Sequence, residues 1–139
     1  MKKLLLIVSV LCLSATLGFS QGITFEEGAW ADVVAKAKAE KKPIFVDLYA
    51  TWCGPCKIMA KNVFTDDAVG KKYNASFVNY KIDAEKGEGL TLAKKYGIKG
   101  YPTFIFVDPS SEKEIYRVMG SMPPAEFNAE ADKALEKAK

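Results

Sequence analysis

Two cysteines, Cys53 and Cys56, stand two residues apart in the stretch ATWCGPCK (50–57), with Gly54 and Pro55 between them. Thiols at this spacing can clamp a metal, tether a haem, form a structural bridge or cycle between dithiol and disulfide. The first two need partners that the chain lacks. A zinc site takes about four ligands, mostly Cys and His, and the sequence contains no histidine. A c-type haem tether requires His directly after the second cysteine, where Lys57 stands. Cys–His hydrolysis fails on the same absence. A purely structural bridge over so short a loop would constrain the unfolded chain little. Thiol–disulfide exchange is the reading left, with no metal and no cofactor expected beyond the pair itself.

That chemistry needs a scaffold. PIFVDLYA (43–50) is a short apolar run entered by Pro43, the pattern of a strand buried on both faces, with Asp47 as its one charge. Cys53 follows this strand and opens a helix, where unpaired N–H groups and the macrodipole favour a thiolate. Pro55 falls in the first turn, where its missing N–H costs nothing. Cys56, one turn further in, is expected to be the more buried and to act second, attacking the mixed disulfide.

Around this unit the periodicities predict a helix over about 28–41, with Thr24 and Glu27 at capping-box spacing after a short strand or loop at 21–25. A helical stretch from about Thr65, a strand at 77–83, and a loop AEKGEG leading into a helix closed by Gly97 follow. Strands over 103–108 and IYRVMG, then a terminal helix with Pro in its first turn, complete the chain. The fold class expected is α/β, a central mixed β-sheet flanked by helices on both faces.

The amino terminus has another character. Lys2 and Lys3 precede an apolar run, and small residues follow, the three parts of a secretory signal. Cleavage is expected after Ser20, giving a signal peptide at 1–20 and one domain at 21–139. From Leu4 to Phe19 there are 16 residues with three Ser/Thr, short of the roughly 20 a spanning helix needs; an uncleaved membrane anchor is the alternative. Removal takes Cys12 away and leaves Cys53 and Cys56 as the mature thiols. Loss of two of the 20 basic residues against 17 acidic ones leaves a net charge of +1, which argues against a nucleic-acid partner. Export, to the periplasm or beyond, places the pair where disulfides persist.

FVDLYATWCGPCK, followed later by YGIKGYPTFIFVD, resembles the thioredoxin family. The resemblance covers nearly the whole mature chain and is nearest to exported bacterial thioredoxin-like disulfide reductases. It implies a thioredoxin-like fold and further roles. Asp47 matches the buried carboxylate beneath the pair; burial is expected to raise its pKa, so that it can take the proton from Cys56. Pro102 matches the cis-proline that faces the cysteines, and Tyr101 would offer backbone groups to an extended substrate peptide. Trp52 would form the rim beside Cys53, and Gly54 and Pro55 the active-site loop. Gly100 fits a tight turn before Tyr101. Two residues depart from the cytosolic pattern: Tyr49 stands where Trp is common, and Asn79 where a lysine pairs with the buried Asp. Lys81 is read as lying on the other face of that strand, hence no obvious substitute.

The function expected is reduction of protein disulfides by an exported, monomeric oxidoreductase. Its partners would be protein thiol/disulfide substrates and a membrane thiol electron donor, with cytochrome c maturation one plausible client pathway. A disulfide oxidase or isomerase is the same chemistry run differently. A non-catalytic peptide-binding module on the same scaffold is the alternative of another class; a peroxide-reducing enzyme is the weakest.

Overall fold

The computed structural model describes residues 21–139, so the expected signal segment lies outside the described residues. Five α-helices and four strands follow in the order α1 (Trp30–Glu40), β1 (Ile44–Tyr49), α2 (Gly54–Ile58), α3 (Asp67–Ser76), β2 (Val78–Asp83), α4 (Gly87–Lys95), β3 (Thr103–Val107), β4 (Glu114–Met119) and α5 (Pro124–Lys137). The sheet order is β2-β1-β3-β4, with β1 and β2 parallel and the other pairs antiparallel. This is the expected mixed sheet, and β1 lies inside it.

The central strands are apolar because both their faces are covered, and alternation along β1 sorts its residues between two cores. Ile44, Val46 and Leu48 join Val33, Ala37, Tyr80, Leu92, Ile105 and Val107 beneath α1 and α4. Phe45 joins Phe64, Tyr73, Phe104, Phe106 and Phe127 on the other face. That second core is mostly aromatic, with Tyr73 stacked on Phe127 at 4.6 Å and Phe45 edge-on to Tyr73 at 4.9 Å. Asp47 has the parity of Phe45 and points to this aromatic face, towards the end of the strand that leads into the cysteines.

Several local expectations change. The capping box at Thr24 and Glu27 does not form, since α1 begins six residues after Thr24, with Ala29 as its N-cap and no capping side chain. A tertiary contact replaces it: the Trp30 N–H donates to the Glu88 carboxylate of α4 at 2.8 Å. The segment 21–25 takes the loop form of the two expected, and a single parallel bridge, Glu26 to Tyr80, attaches it to β2. After Ile58 the active-site helix widens into a π-helical turn over Met59–Val63, where the Phe64 N–H reaches the Met59 carbonyl at 2.9 Å. The helix expected near Thr65 is capped by Asp66, whose carboxylate accepts the Val69 N–H at 3.0 Å. α4 starts at Gly87, inside the segment read as a loop, and ends as expected. Gly97 takes φ 62°, while the Gly97 and Ile98 N–H groups close onto Lys94 and Ala93 in a Schellman pattern.

Candidate active site

β1 delivers the cysteines. Its last buried residues run into Ala50, whose carbonyl accepts the Cys53 N–H at 3.1 Å and turns the chain towards α2. Cys53 is the N-cap of α2, in extended conformation, and its Sγ accepts the Cys56 N–H at 3.2 Å. A sulfur at this place is met by an otherwise unpaired helix N–H, the arrangement that favours negative charge on it. Pro55 lies in the first turn, and Gly54 and Pro55 are both exposed. Cys53 and Cys56 are joined as a disulfide, their Cα atoms 5.3 Å apart.

The expected difference in depth is not present in this oxidised form. Cys53 is 3% exposed and Cys56 7%, so the first cysteine is no more open than the second. The cause is lateral packing: Ala50, Tyr49 and Tyr101 close around the pair. A cavity of about 270 Å³ then opens on the Cys56 side, lined by Asp47, Ala60, Lys57 and Lys81 among others.

Tyr101 and Trp52 make the rim. The Tyr101–Pro102 peptide is cis, Pro102 is buried, and Tyr101 is half-buried against the cysteine cluster. Among the described residues nothing bonds to the Tyr101 backbone N–H or C=O, which leaves both free for an incoming strand. Trp52 is 67% exposed. Its ring meets Tyr101 edge-on at 5.9 Å, and its Nε1 donates to Glu85 at 2.9 Å. Trp52 is thus exposed beside Tyr101 and not packed in the core.

Asp47 is 3% exposed, and its Oδ1 has no hydrogen-bond partner among the described residues. Burial pushes its carboxyl up to about 7, against a smaller downward pull from the Lys81 charge. A carboxyl in that range can exchange a proton with a thiol near neutral pH. It lines the same cavity as Cys56, not Cys53.

The lysine question resolves differently from the sequence reading. Asn79 is buried and points away from this chemistry: its amide donates to the Thr24 carbonyl at 3.3 Å and to the Asn74 side chain at 3.1 Å. Lys81 is the direct register partner of Asp47 across β1 and β2 and lines the cavity with it. Residues two apart in a strand share a face, so Lys81 lies on the face of Asn79 and not on the opposite one expected. The signal was in the sequence. Glu85 was missed for another reason: it lies in the turn after β2, and no local pattern ties it to Trp52.

The family model described as thioredoxin-like domain matches residues 30–135. This chain belongs to the thioredoxin-like family. With its Cys53–Cys56 disulfide it is a thiol–disulfide oxidoreductase of thioredoxin type. Over 93 residues it is 39% identical to the thiol:disulfide interchange protein DsbD of Yersinia pestis; the match covers 66% of this chain and 16% of that protein. The chain thus spans only a small part of that relative. Among solved thioredoxin-like structures, a candidate disulphide-isomerase from Bacteroides thetaiotaomicron is 41% identical, with a TM-score of 0.74 over 84% of this chain and 95% of that one. A thioredoxin from Thermus thermophilus is 29% identical, with a TM-score of 0.73 over 83% and 90%.

Proposed function

We propose that this thioredoxin-like protein is exported and reduces disulfides in other proteins through Cys53 and Cys56. The observation that supports the exchange chemistry is the Asp47 carboxyl, which has an unpartnered oxygen, lines the cavity beside Cys56 and is pushed by burial up to about 7. In the dithiol form, the Cys53 thiolate attacks one sulfur of a client disulfide and expels the other as a thiolate. Asp47 takes the proton from Cys56, whose thiolate attacks Cys53 Sγ and releases the second client sulfur. Two electrons pass to the client, and the protein is left as the disulfide. Return to the dithiol needs an external thiol donor, and outside the cytosol a membrane thiol carrier is the class that fits. Trp52, Tyr101 and Pro102 form the docking rim, where the free Tyr101 backbone groups would pair with an extended client segment. Support for export is the Lys2–Lys3, apolar, small-residue leader.

Turbidity of insulin in dithiothreitol tests the activity: the wild type accelerates precipitation and Cys53→Ser does not. If both accelerate it equally, the catalytic reading fails and the peptide-binding alternative takes its place. Cys56→Ala should accumulate mixed disulfides with client proteins. The candidate isomerase among the relatives supports a second reading of the same exchange chemistry. Equilibration with glutathione separates the two, since a strongly oxidising potential removes the reductase direction.

A further inference from the structure

The segment Gln21–Glu26 before α1 is built into the domain. Ile23 N–H donates to the Phe64 carbonyl at 2.7 Å, Thr24 N–H to Asn74 Oδ1 at 2.8 Å, and Glu26 N–H to the Asn79 carbonyl at 2.8 Å. The contact is so close that a Cβ on Gly70 would stand 2.1 Å from the Gln21 carbonyl oxygen, and one on Gly22 2.0 Å from that of Phe64. Asn79, which stands where the family pattern has a lysine, donates its amide to the Thr24 carbonyl of this arm and to the Asn74 side chain that holds it.

The arm delivers one side chain to the active-site face. Phe25 packs against Phe64 and Phe45, at 5.3 and 6.4 Å between ring centroids. Lys81 Nζ lies 5.5 Å from the Phe25 ring and 5.0 Å from the Tyr49 ring. Lys81 makes no contact ion pair among the described residues, so the two rings are what hold its head. An ammonium between two aromatic faces is drawn to both.

We propose that Phe25 and Tyr49 form a two-ring clamp that keeps the Lys81 ammonium turned towards Asp47, so that Phe25 is a positioning residue of the active site. The family's lysine thus has a substitute two residues along β2, and the vacated position anchors the arm that steadies it. The proposal rests on the reading of Asp47 as proton acceptor for Cys56. The groups facing Asp47 around the cavity are Lys81 from β2, Lys57 and Cys56 from α2, and Tyr49 from its own strand; β3 presents apolar Phe104.

The test is a carboxyl-carbon NMR titration of Asp47 in the oxidised full domain, beside the rate at which the reduced pair closes on a mixed disulfide. Lys81→Met should raise the Asp47 midpoint by about one pH unit. Phe25→Leu should raise it by about half a unit, from the weight of one cation–ring contact, and Phe25→Tyr should leave it in place. Adding Phe25→Leu to Lys81→Met should move it no further, because the ring acts only through the lysine. A merely structural role would give additive shifts or none, and either result overturns the clamp, as does an unmoved midpoint in Lys81→Met. Tyr49→Leu tests the second ring should Phe25→Leu not fold. Midpoints that shift while closure rates stay constant would leave the ring–ammonium contacts in place but remove the proton role of Asp47, and with it the part of Phe25 in the active site.

Discussion

Two carboxyl groups are buried on the aromatic side of the sheet, and they have been treated in opposite ways. Glu130 of α5, 5% exposed, is fully provided for. Tyr116 Oη donates to one of its oxygens and Lys133 Nζ to the other at 2.8 Å. Burial pushes its carboxyl up, but the bonds from Lys133 and Tyr116 and the Lys133 charge outweigh it and leave it below the ordinary range. Asp47 is as deeply placed, yet has one oxygen without a partner and a cation that never makes contact. One acid closes the seam between α5 and β4; the other is short of partners and is pushed up to about 7. Burial alone therefore does not distinguish the two. The unfilled hydrogen bond beside a cavity does, and on the proposed function it is what makes Asp47 the proton acceptor.

Removing the Asp47 charge should give the largest effect. Between pH 3.8 and about 7 the folded chain holds a proton that the unfolded chain has lost, so Asp47 makes stability fall as pH rises through that window and level off above it. Asp47→Asn should abolish this slope and stabilise the protein at pH 8 by up to about 4 kcal/mol, with little gain at pH 4, read by urea unfolding at each pH. The same variant should slow client reduction at pH 7 on the order of 10²-fold. A variant that is neither stabilised nor slowed would erase the contrast between the two acids.

Glu130→Ala should do the reverse, costing about 1–2 kcal/mol near neutrality by leaving Tyr116 without its acceptor, with insulin reduction unchanged. Its pH signature also runs the other way. A carboxyl held low contributes stability that is present above its unfolded pKa and is lost as pH falls through its folded value. The wild type should thus weaken at both ends, from Glu130 in acid and from Asp47 towards neutrality. Lys133→Ala should have the smallest effect on neutral stability, because this lysine is exposed; burial is then opposed by the Tyr116 bond alone, so the Glu130 carboxyl should move up from below its ordinary range, read by a carboxyl-carbon NMR titration.

Much of the site is legible in the sequence. The strand into Cys53, the proline in the first turn and Gly97 at the end of α4 are local matters of capping and backbone preference, and each stands where its neighbours require it. The buried Asp47 was legible too, because one charge inside an apolar strand has no other place to go. Less was legible where a partner comes from a distant element. Trp30 takes Glu88 in place of the capping box at Thr24, and Trp52 takes Glu85. The π-helical turn at Met59–Val63 left no mark in residues that are ordinary helix formers.

By itself the sequence determined which sulfurs pair, that they sit at a helix mouth, and that the scaffold is a mixed sheet covered on both faces. Those properties depend on spacing and periodicity, which are written along the chain. Only the tertiary structure decided that both cysteines are covered in the disulfide, that Asp47 goes without a full set of partners, and that Lys81 is steadied by rings from β1 and the arm. Such properties are sums of burial and charge over residues far apart in the chain, and they have no value until the fold brings those residues together.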